Sequence, residues 1–321
     1  MAANKHTKKS SPTAQFTPHH IIESQQFNLK FIHDIFTLAD ALEKKLGKGQ
    51  DDSLKGKIMA SLFYEPSTRT RFSFESAMLR LGGRVITTEN AREFSSAAKG
   101  ETLEDSIRVI NFYSDVIVMR HYEQGAAKRA AKVSDIPVIN AGDGAGQHPT
   151  QALLDLYTIQ RTLGGIGGIS IAMVGDLKNG RTIRSLVYLL GKFKNVHIYF
   201  VSPKGLRMCD DIKKYLEKHH MSYKETESFE SCVGKVDVVY QTRIQKERFA
   251  TEKEYKKYKG CYQIDMKLVG KMKRSAIIMH PLPRVGEISP EVDASPKAIY
   301  FKQAYYGLLI RMALLKIVLK K

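Results

Sequence analysis

The strongest chemical signature in the chain is Ser67, Thr68, Arg69, Thr70 and Arg71, set between a strand-like run at 58–64 and a helix-like run at 72–81. At a helix start the backbone N–H groups lack intrahelical partners; hydroxyls and a guanidinium beside them suit a phosphate dianion. Serine and threonine are also ordinary N-cap residues, so a plain helix cap is the competing reading. Arginine in a first turn opposes the helix dipole, and Arg69 with Arg71 therefore points to an anion that offsets them. Glu65-Pro66 forces an extended entry that fixes the loop.

The elements that must position such a loop are legible as alternating patterns. Short apolar runs at 58–64, 85–88, 115–119 and 138–140 predict strands, with helical segments near 71–81, 103–113 and 123–132. After a helix near 150–162, strand-like runs recur at 169–174, 196–201, 236–240 and 277–279. Continuous apolar strands separated by helices imply parallel sheets covered on both faces, so the expected fold class is α/β with two domains joined by bridging helices. The expected division is 1–149 and 150–303, with an apolar helix at 304–321 packing back on the first half.

In open parallel sheets, ligands sit at the carboxyl ends of the strands. Those positions hold Arg120 and His121 after the third run, and a glycine-rich loop with His148 and Gln151 after the fourth. In the second half they hold Arg181 and Thr182, then Arg243 and Gln245, then His280-Pro281-Leu282-Pro283-Arg284. Singly, Arg120 reads as a surface residue and His148 as a turn histidine; the combination is far more specific. Gly175 to Gly180 lacks the G-x-G-x-x-G spacing, which disfavours a dinucleotide site. Cations gathered between two domains suit a reaction of two anions, each held against the other's repulsion.

These motifs resemble the aspartate/ornithine carbamoyltransferase family. The matching stretches are Phe63 to Glu75, Val118 to His121, Gly146 to Gln151, Val174 to Asp176, Gly180 to Thr182, Thr242 to Arg248 and His280 to Arg284. They run in family order over nearly the whole chain. The resemblance implies transfer of a carbamoyl group from carbamoyl phosphate to aspartate, a step of pyrimidine biosynthesis. Ser67, Thr68, Arg69 and Thr70 then hold the phosphate, Thr70, Arg120 and His148 polarise the carbonyl, and Gln151 lies close to the carbamoyl nitrogen. Arg181 and Arg243 resemble the arginines that grip the two aspartate carboxylates, with Thr182 and Gln245 beside them. Leu282 and Pro283 match backbone acceptors for the substrate amine and amide groups.

The resemblance also implies a homotrimer with shared sites, in which Ser95 and Lys99 are lent by a neighbouring subunit and Lys99 acts as a catalytic, aspartate-binding cation. Bacterial relatives often carry a second lysine where this chain has Ala98, so one borrowed cation per site is expected. No metal or other cofactor is called for, and a regulatory chain is left open. The ornithine branch is the nearest rival. It typically has Cys in place of Pro281 and an acidic Asp-x-x-x-Ser-Met-Gly loop that does not occur here. A non-catalytic partner protein would need lost site residues, yet every expected position is filled.

Composition narrows the remaining classes. The 321 residues are 43% hydrophobic, enough for two cores, and carry a net charge of +18. Acidic residues interleave with the lysines, so a solvated face is expected, with neither nucleic acid nor membrane as partner. Cys209, Cys232 and Cys261 have no disulfide or zinc spacing. With no apolar run long enough to span a bilayer, a cytoplasmic location is the default. The basic stretch 1–18 reads as a disordered tail or a targeting remnant.

Overall fold

The structure, a computed structural model, describes residues 18–49, 51–94 and 96–320. Strands β1 (Ile58–Phe63), β2 (Arg84–Glu89), β3 (Val116–His121) and β4 (Val138–Asp143) form a parallel sheet in the order β2-β1-β3-β4. Strands β5 (Ser170–Val174), β6 (His197–Val201), β7 (Ser222–Thr226), β8 (Val238–Gln241) and β9 (Ile277–Met279) form a second parallel sheet in the order β7-β6-β5-β8-β9.

The apolar runs are continuous because both sheet faces are buried. Met59 and Phe63 of β1 enter one core while the alternate Ala60 and Leu62 enter another. Ile171 and Met173 of β5 likewise face one core, and Ala172 and Val174 the opposite one. The largest core runs unbroken from the first sheet to the second through the helices Pro149–Leu163 and Tyr300–Leu319. The C-terminal helix packs on the helices Leu29–Lys45, Thr68–Arg80 and Pro149–Leu163.

The expectation of two parallel-sheet domains agrees with this architecture, but three details differ. The second sheet has a fifth strand, β7, whose Ser-Tyr-Lys-Glu-Thr sequence carries no apolar run; it lies at the sheet edge, where polar residues protect the unpaired side. The helix expected from 71 begins at Thr68, so the hydroxyl-rich segment is its first turn rather than a loop before it. The C-terminal helix starts at Tyr300, four residues before the expected position.

Both sheets reverse direction at one place. In the first, successive strands are laid down on opposite sides of β1, so β1 and β3 flank the switch point; in the second, β5 and β8 flank it. A crevice opens at the carboxyl ends of such a pair, because the following connections diverge to opposite faces.

Candidate active site

The two crevices face each other and merge into one cleft of about 800 Å³. Between residues 67 and 151 it is lined by Ser67, Thr68, Arg69, Thr70, Arg120, His148 and Gln151; between 181 and 283, by Arg181, Thr182, Arg243, Gln245, Leu282 and Pro283. Of the described residues singled out in the sequence, Arg71, Lys99, His121 and Arg284 are not on its wall. Ser95 lies outside the described residues. Lys99 ends the short turn Ser96–Lys99 and is exposed.

At the start of the Thr68–Arg80 helix, Ser67 is the N-cap in extended conformation, but its side chain makes no capping hydrogen bond. The plain-cap reading therefore loses its physical basis, because the hydroxyl is not spent on the helix. Arg71 departs from expectation. It turns away from the cleft to Glu89 of β2, with Nη1 at 2.6 Å from the carboxylate, and stands 3.7 Å from Glu75. Its first-turn charge is offset by protein carboxylates, which leaves Arg69 as the cleft-facing guanidinium of the motif. Burial, followed by the nearby charge of Arg243, lowers the pKa of Arg69.

Arg120, near the end of β3, donates to Glu65 Oε1 at 3.1 Å. Arg181, first residue of the helix Arg181–Leu190, donates to Glu65 Oε2 at 3.4 Å and to the Gly144 carbonyl at 2.6 Å. Glu65 thus ties one arginine from each half of the cleft. Burial depresses Arg120, and burial with the charge of Arg120 brings Arg181 down to about 10; both remain cations at neutral pH. Arg181 lies close over a glycine with positive φ. At Gly142, with φ of +118°, a Cβ would lie 3.2 Å from the guanidinium carbon.

His148 caps the Pro149–Leu163 helix and is 4% exposed. Its backbone N–H donates to Ser185 Oγ at 2.9 Å, and Thr150 Oγ1 stands 3.5 Å from its Nδ1. Burial, then the charges of Arg181, Arg120 and Arg311, hold its pKa far below the ordinary histidine range. The ring is a neutral imidazole at physiological pH, able to donate a hydrogen bond without adding a further charge.

The second switch point is tight. Gly175 follows β5 with φ of +117°, and a Cβ there would sit 2.4 Å from the Thr242 carbonyl oxygen. That approach brings the β5 and β8 loops together, and Gln245 Nε2 donates across it to the Asn179 carbonyl at 3.4 Å. On the opposite rim His280 is buried, and its Nδ1 accepts from the Leu282 N–H at 2.8 Å. The remaining ring nitrogen therefore carries the proton and donates to Glu287 at 2.7 Å. His280 thereby holds Leu282 in its left-handed conformation, φ of +53°, at the cleft rim.

Residues 19–161 match the description "Aspartate/ornithine carbamoyltransferase, carbamoyl-P binding domain", and residues 167–318 match "Asp/Orn binding domain" of the same family. The chain belongs to the aspartate/ornithine carbamoyltransferase family. It is 60% identical over 301 residues to the chloroplastic aspartate carbamoyltransferase of Arabidopsis thaliana, covering 93% of this chain and 77% of that protein. Among solved structures, it resembles the catalytic subunit of M. jannaschii aspartate transcarbamoylase with TM-score 0.87 and 52% identity, over 94% of this chain and 98% of that one. It resembles Trypanosoma cruzi aspartate transcarbamoylase in complex with N-(phosphonacetyl)-L-aspartic acid with TM-score 0.89 and 42% identity, over 96% and 98% of the two chains.

This carbamoyltransferase-family chain also uses residues that sequence reading passed over. In the sequence Glu65 reads, with Pro66, only as an extended entry to the motif, yet it bridges Arg120 and Arg181. Its signal was its place at the carboxyl end of β1, next to the arginine motif. Gln303 and Arg311 reach the cleft from the C-terminal helix; Gln303 lies before the expected helix start at 304, and Arg311 stands within a mostly apolar run. His121, grouped with Arg120 in the sequence, stacks against Tyr64 and Tyr122 and does not line the cleft. Among the described residues no cluster of three or more His, Cys, Asp or Glu could hold a metal ion, and no helix is long and apolar enough to cross a membrane.

Proposed function

We propose that the chain transfers the carbamoyl group of carbamoyl phosphate to the amine of L-aspartate, releasing N-carbamoyl-L-aspartate and phosphate, a step of pyrimidine biosynthesis. The observation that carries this reading is the meeting of two switch points, with Arg69 and Arg120 facing Arg181 and Arg243 around a neutral His148. Such a cleft is built for two anions that must react with each other. The phosphonacetyl aspartate named for the Trypanosoma cruzi neighbour joins a phosphonate to an aspartate, the same pair of charges.

In this reading Ser67, Thr68, Arg69 and Thr70 hold the phosphate at the helix N-terminus. Thr70, Arg120 and His148 donate to the carbonyl oxygen, and Gln151 accepts from the carbamoyl NH2. Arg181 and Arg243 grip the aspartate carboxylates with Thr182 and Gln245 beside them, and the Leu282 and Pro283 carbonyls accept from the substrate amine and amide. The amine attacks the carbonyl carbon, negative charge builds on oxygen, and fixed donors stabilise it without reorganising. The C–N bond forms, the C–O bond to phosphate breaks, and the departing phosphate takes the amine proton. Closure of the two halves, 1–149 with helix 304–321 and 150–303, holds the reactants at attack distance and is worth about 7 kcal/mol or more.

The working unit is a homotrimer in which Ser95 and Lys99 of one chain complete a neighbour's site; the exposure of Lys99, outside its own cleft, supports this. Exposed apolar side chains on the same half, Phe72 at 54% and Leu79 at 58%, fit burial by another copy. The cytoplasm is the proposed compartment, with 1–18 as the segment that would redirect the chain to an organelle, and fluorescence of a full-length fusion reports which. The deciding assay measures carbamoyl product with aspartate and with ornithine side by side. Turnover is expected with aspartate alone, and preference for ornithine would overturn the reading. Arg243→Ala is expected to raise the aspartate KM about a hundred-fold and leave the carbamoyl phosphate KM within a few-fold.

A further inference from the structure

Asp155 is fully buried beneath the cleft, on the Pro149–Leu163 helix one turn after Gln151. Its Oδ1 accepts from Gln151 Nε2 at 2.8 Å and from Gln303 Nε2 at 2.6 Å, and its Oδ2 pairs with the Tyr240 hydroxyl at 2.7 Å. Gln303 in turn accepts from the His280 backbone N–H at 2.9 Å. One carboxyl group therefore binds side chains from its own helix, from β8 and from the C-terminal helix.

The chemistry of this contact settles which way the Gln151 amide points. A carboxylate offers only acceptors, so the amide must turn its NH2 inward, which directs its carbonyl oxygen to the other side. With Asp155 protonated on Oδ2 toward the Tyr240 oxygen, Oδ1 still accepts and the amide points the same way. Gln151 lines the cleft and is 8% exposed, so its fixed amide presents a hydrogen-bond acceptor in a largely desolvated place.

We propose that Asp155 is a positioning residue that locks the Gln151 carbonyl oxygen toward the cleft, and so selects an acyl phosphate bearing –NH2 over one bearing –CH3. This rests on the reading that Gln151 meets the carbamoyl nitrogen. An NH2 group satisfies the acceptor, whereas a methyl group of similar size buries it without a partner. A Gln151 amide free to rotate would present either end and lose that discrimination.

The test compares the inhibition constant of acetyl phosphate with the KM of carbamoyl phosphate, in the full chain, for wild type, Asp155→Leu and Asp155→Asn. Leucine removes the acceptor, and the ratio is expected to fall about ten-fold, the scale of one unpaired buried polar group. Asparagine still offers an oxygen to both glutamines and an NH2 to Tyr240, so it is expected to keep the ratio within about two-fold. Combining Asp155→Leu with Gln151→Ala should lower the ratio no further than Gln151→Ala alone. An unchanged ratio in Asp155→Leu, with wild type still carbamoylating aspartate, overturns the inference and leaves the function standing; a wild type inert with carbamoyl phosphate overturns both. If Asp155→Leu does not fold, a crystal structure of wild type with carbamoyl phosphate decides. Gln151 Nε2 must remain on Asp155 while the other amide atom meets the carbamoyl nitrogen, and an amide that has left Asp155 sinks the proposal.

Discussion

His148 shows how little of a residue's chemistry resides in its own side chain. Removed from water and ringed by Arg120, Arg181 and Arg311, it cannot take a proton near neutrality. Because its folded pKa lies below the unfolded value near 6.5, its contribution to stability is complete above about pH 6.5 and is lost as pH falls through the depressed folded value. The profile of kcat between pH 6 and 8 is therefore expected to show no inflection removed by His148→Ala, while that substitution is expected to lower kcat by about 10² to 10³ if, as proposed, His148 is one oxyanion donor. A wild-type inflection near 6.5 that disappears in the variant would mean that His148 titrates and serves as the base. The residue type was readable in the sequence; its protonation state was not, since the three arginines arrive from β3, the helix Arg181–Leu190 and the C-terminal helix.

Elements set the next level of control, because a strand end delivers a side chain only as accurately as its loop is held. The N-terminus of the Thr68–Arg80 helix is held without help from the Ser67 hydroxyl. Ser67→Ala is therefore expected to raise the carbamoyl phosphate KM about ten-fold at unchanged Tm, whereas loss of a true N-cap costs about 1 kcal/mol and roughly 2 °C. Calorimetry beside kinetics separates the two. Gly175 holds the other crevice. A Cβ placed 2.4 Å from the Thr242 carbonyl at positive φ must displace β8. Gly175→Ala is expected to cost about 2 kcal/mol or more in urea unfolding and to raise the aspartate KM, since Arg243 and Gln245 follow that strand. Strand ends bearing arginines and amides could be found from apolar runs alone. The polar edge strand β7 could not, because it takes its conformation from the pairing partner β6 and not from an apolar pattern of its own.

At the scale of the whole molecule, the cleft belongs to neither sheet. Glu65 joins Arg120 to Arg181, and the Pro149–Leu163 and Tyr300–Leu319 helices carry one core through both halves. The proposed sharing of sites between chains gives a sharp expectation for assembly. Arg69→Ala and Lys99→Ala chains, each nearly inactive alone, should regain activity when dissociated and reassembled together, with roughly a quarter of the sites whole under random mixing. A mixture as inactive as its parents would place both residues in the same chain's site and remove the case for sharing.

The sequence by itself determined the kinds of groups and their order along the chain: a hydroxyl and arginine cluster at a helix start, further arginines and amides at strand ends, and apolar runs that must lie in parallel sheets. Local propensity and strand periodicity are short-range properties, so adjacent residues suffice to reveal them. Only the tertiary structure decided that Arg71 turns to Glu89 while Arg69 faces the cleft, that Glu65 spans it, that His148 is neutral, and that Asp155 orients Gln151. Desolvation, charge coupling and the direction of a buried amide arise between residues far apart in the chain, and they exist only once the two sheets have closed over the space between them.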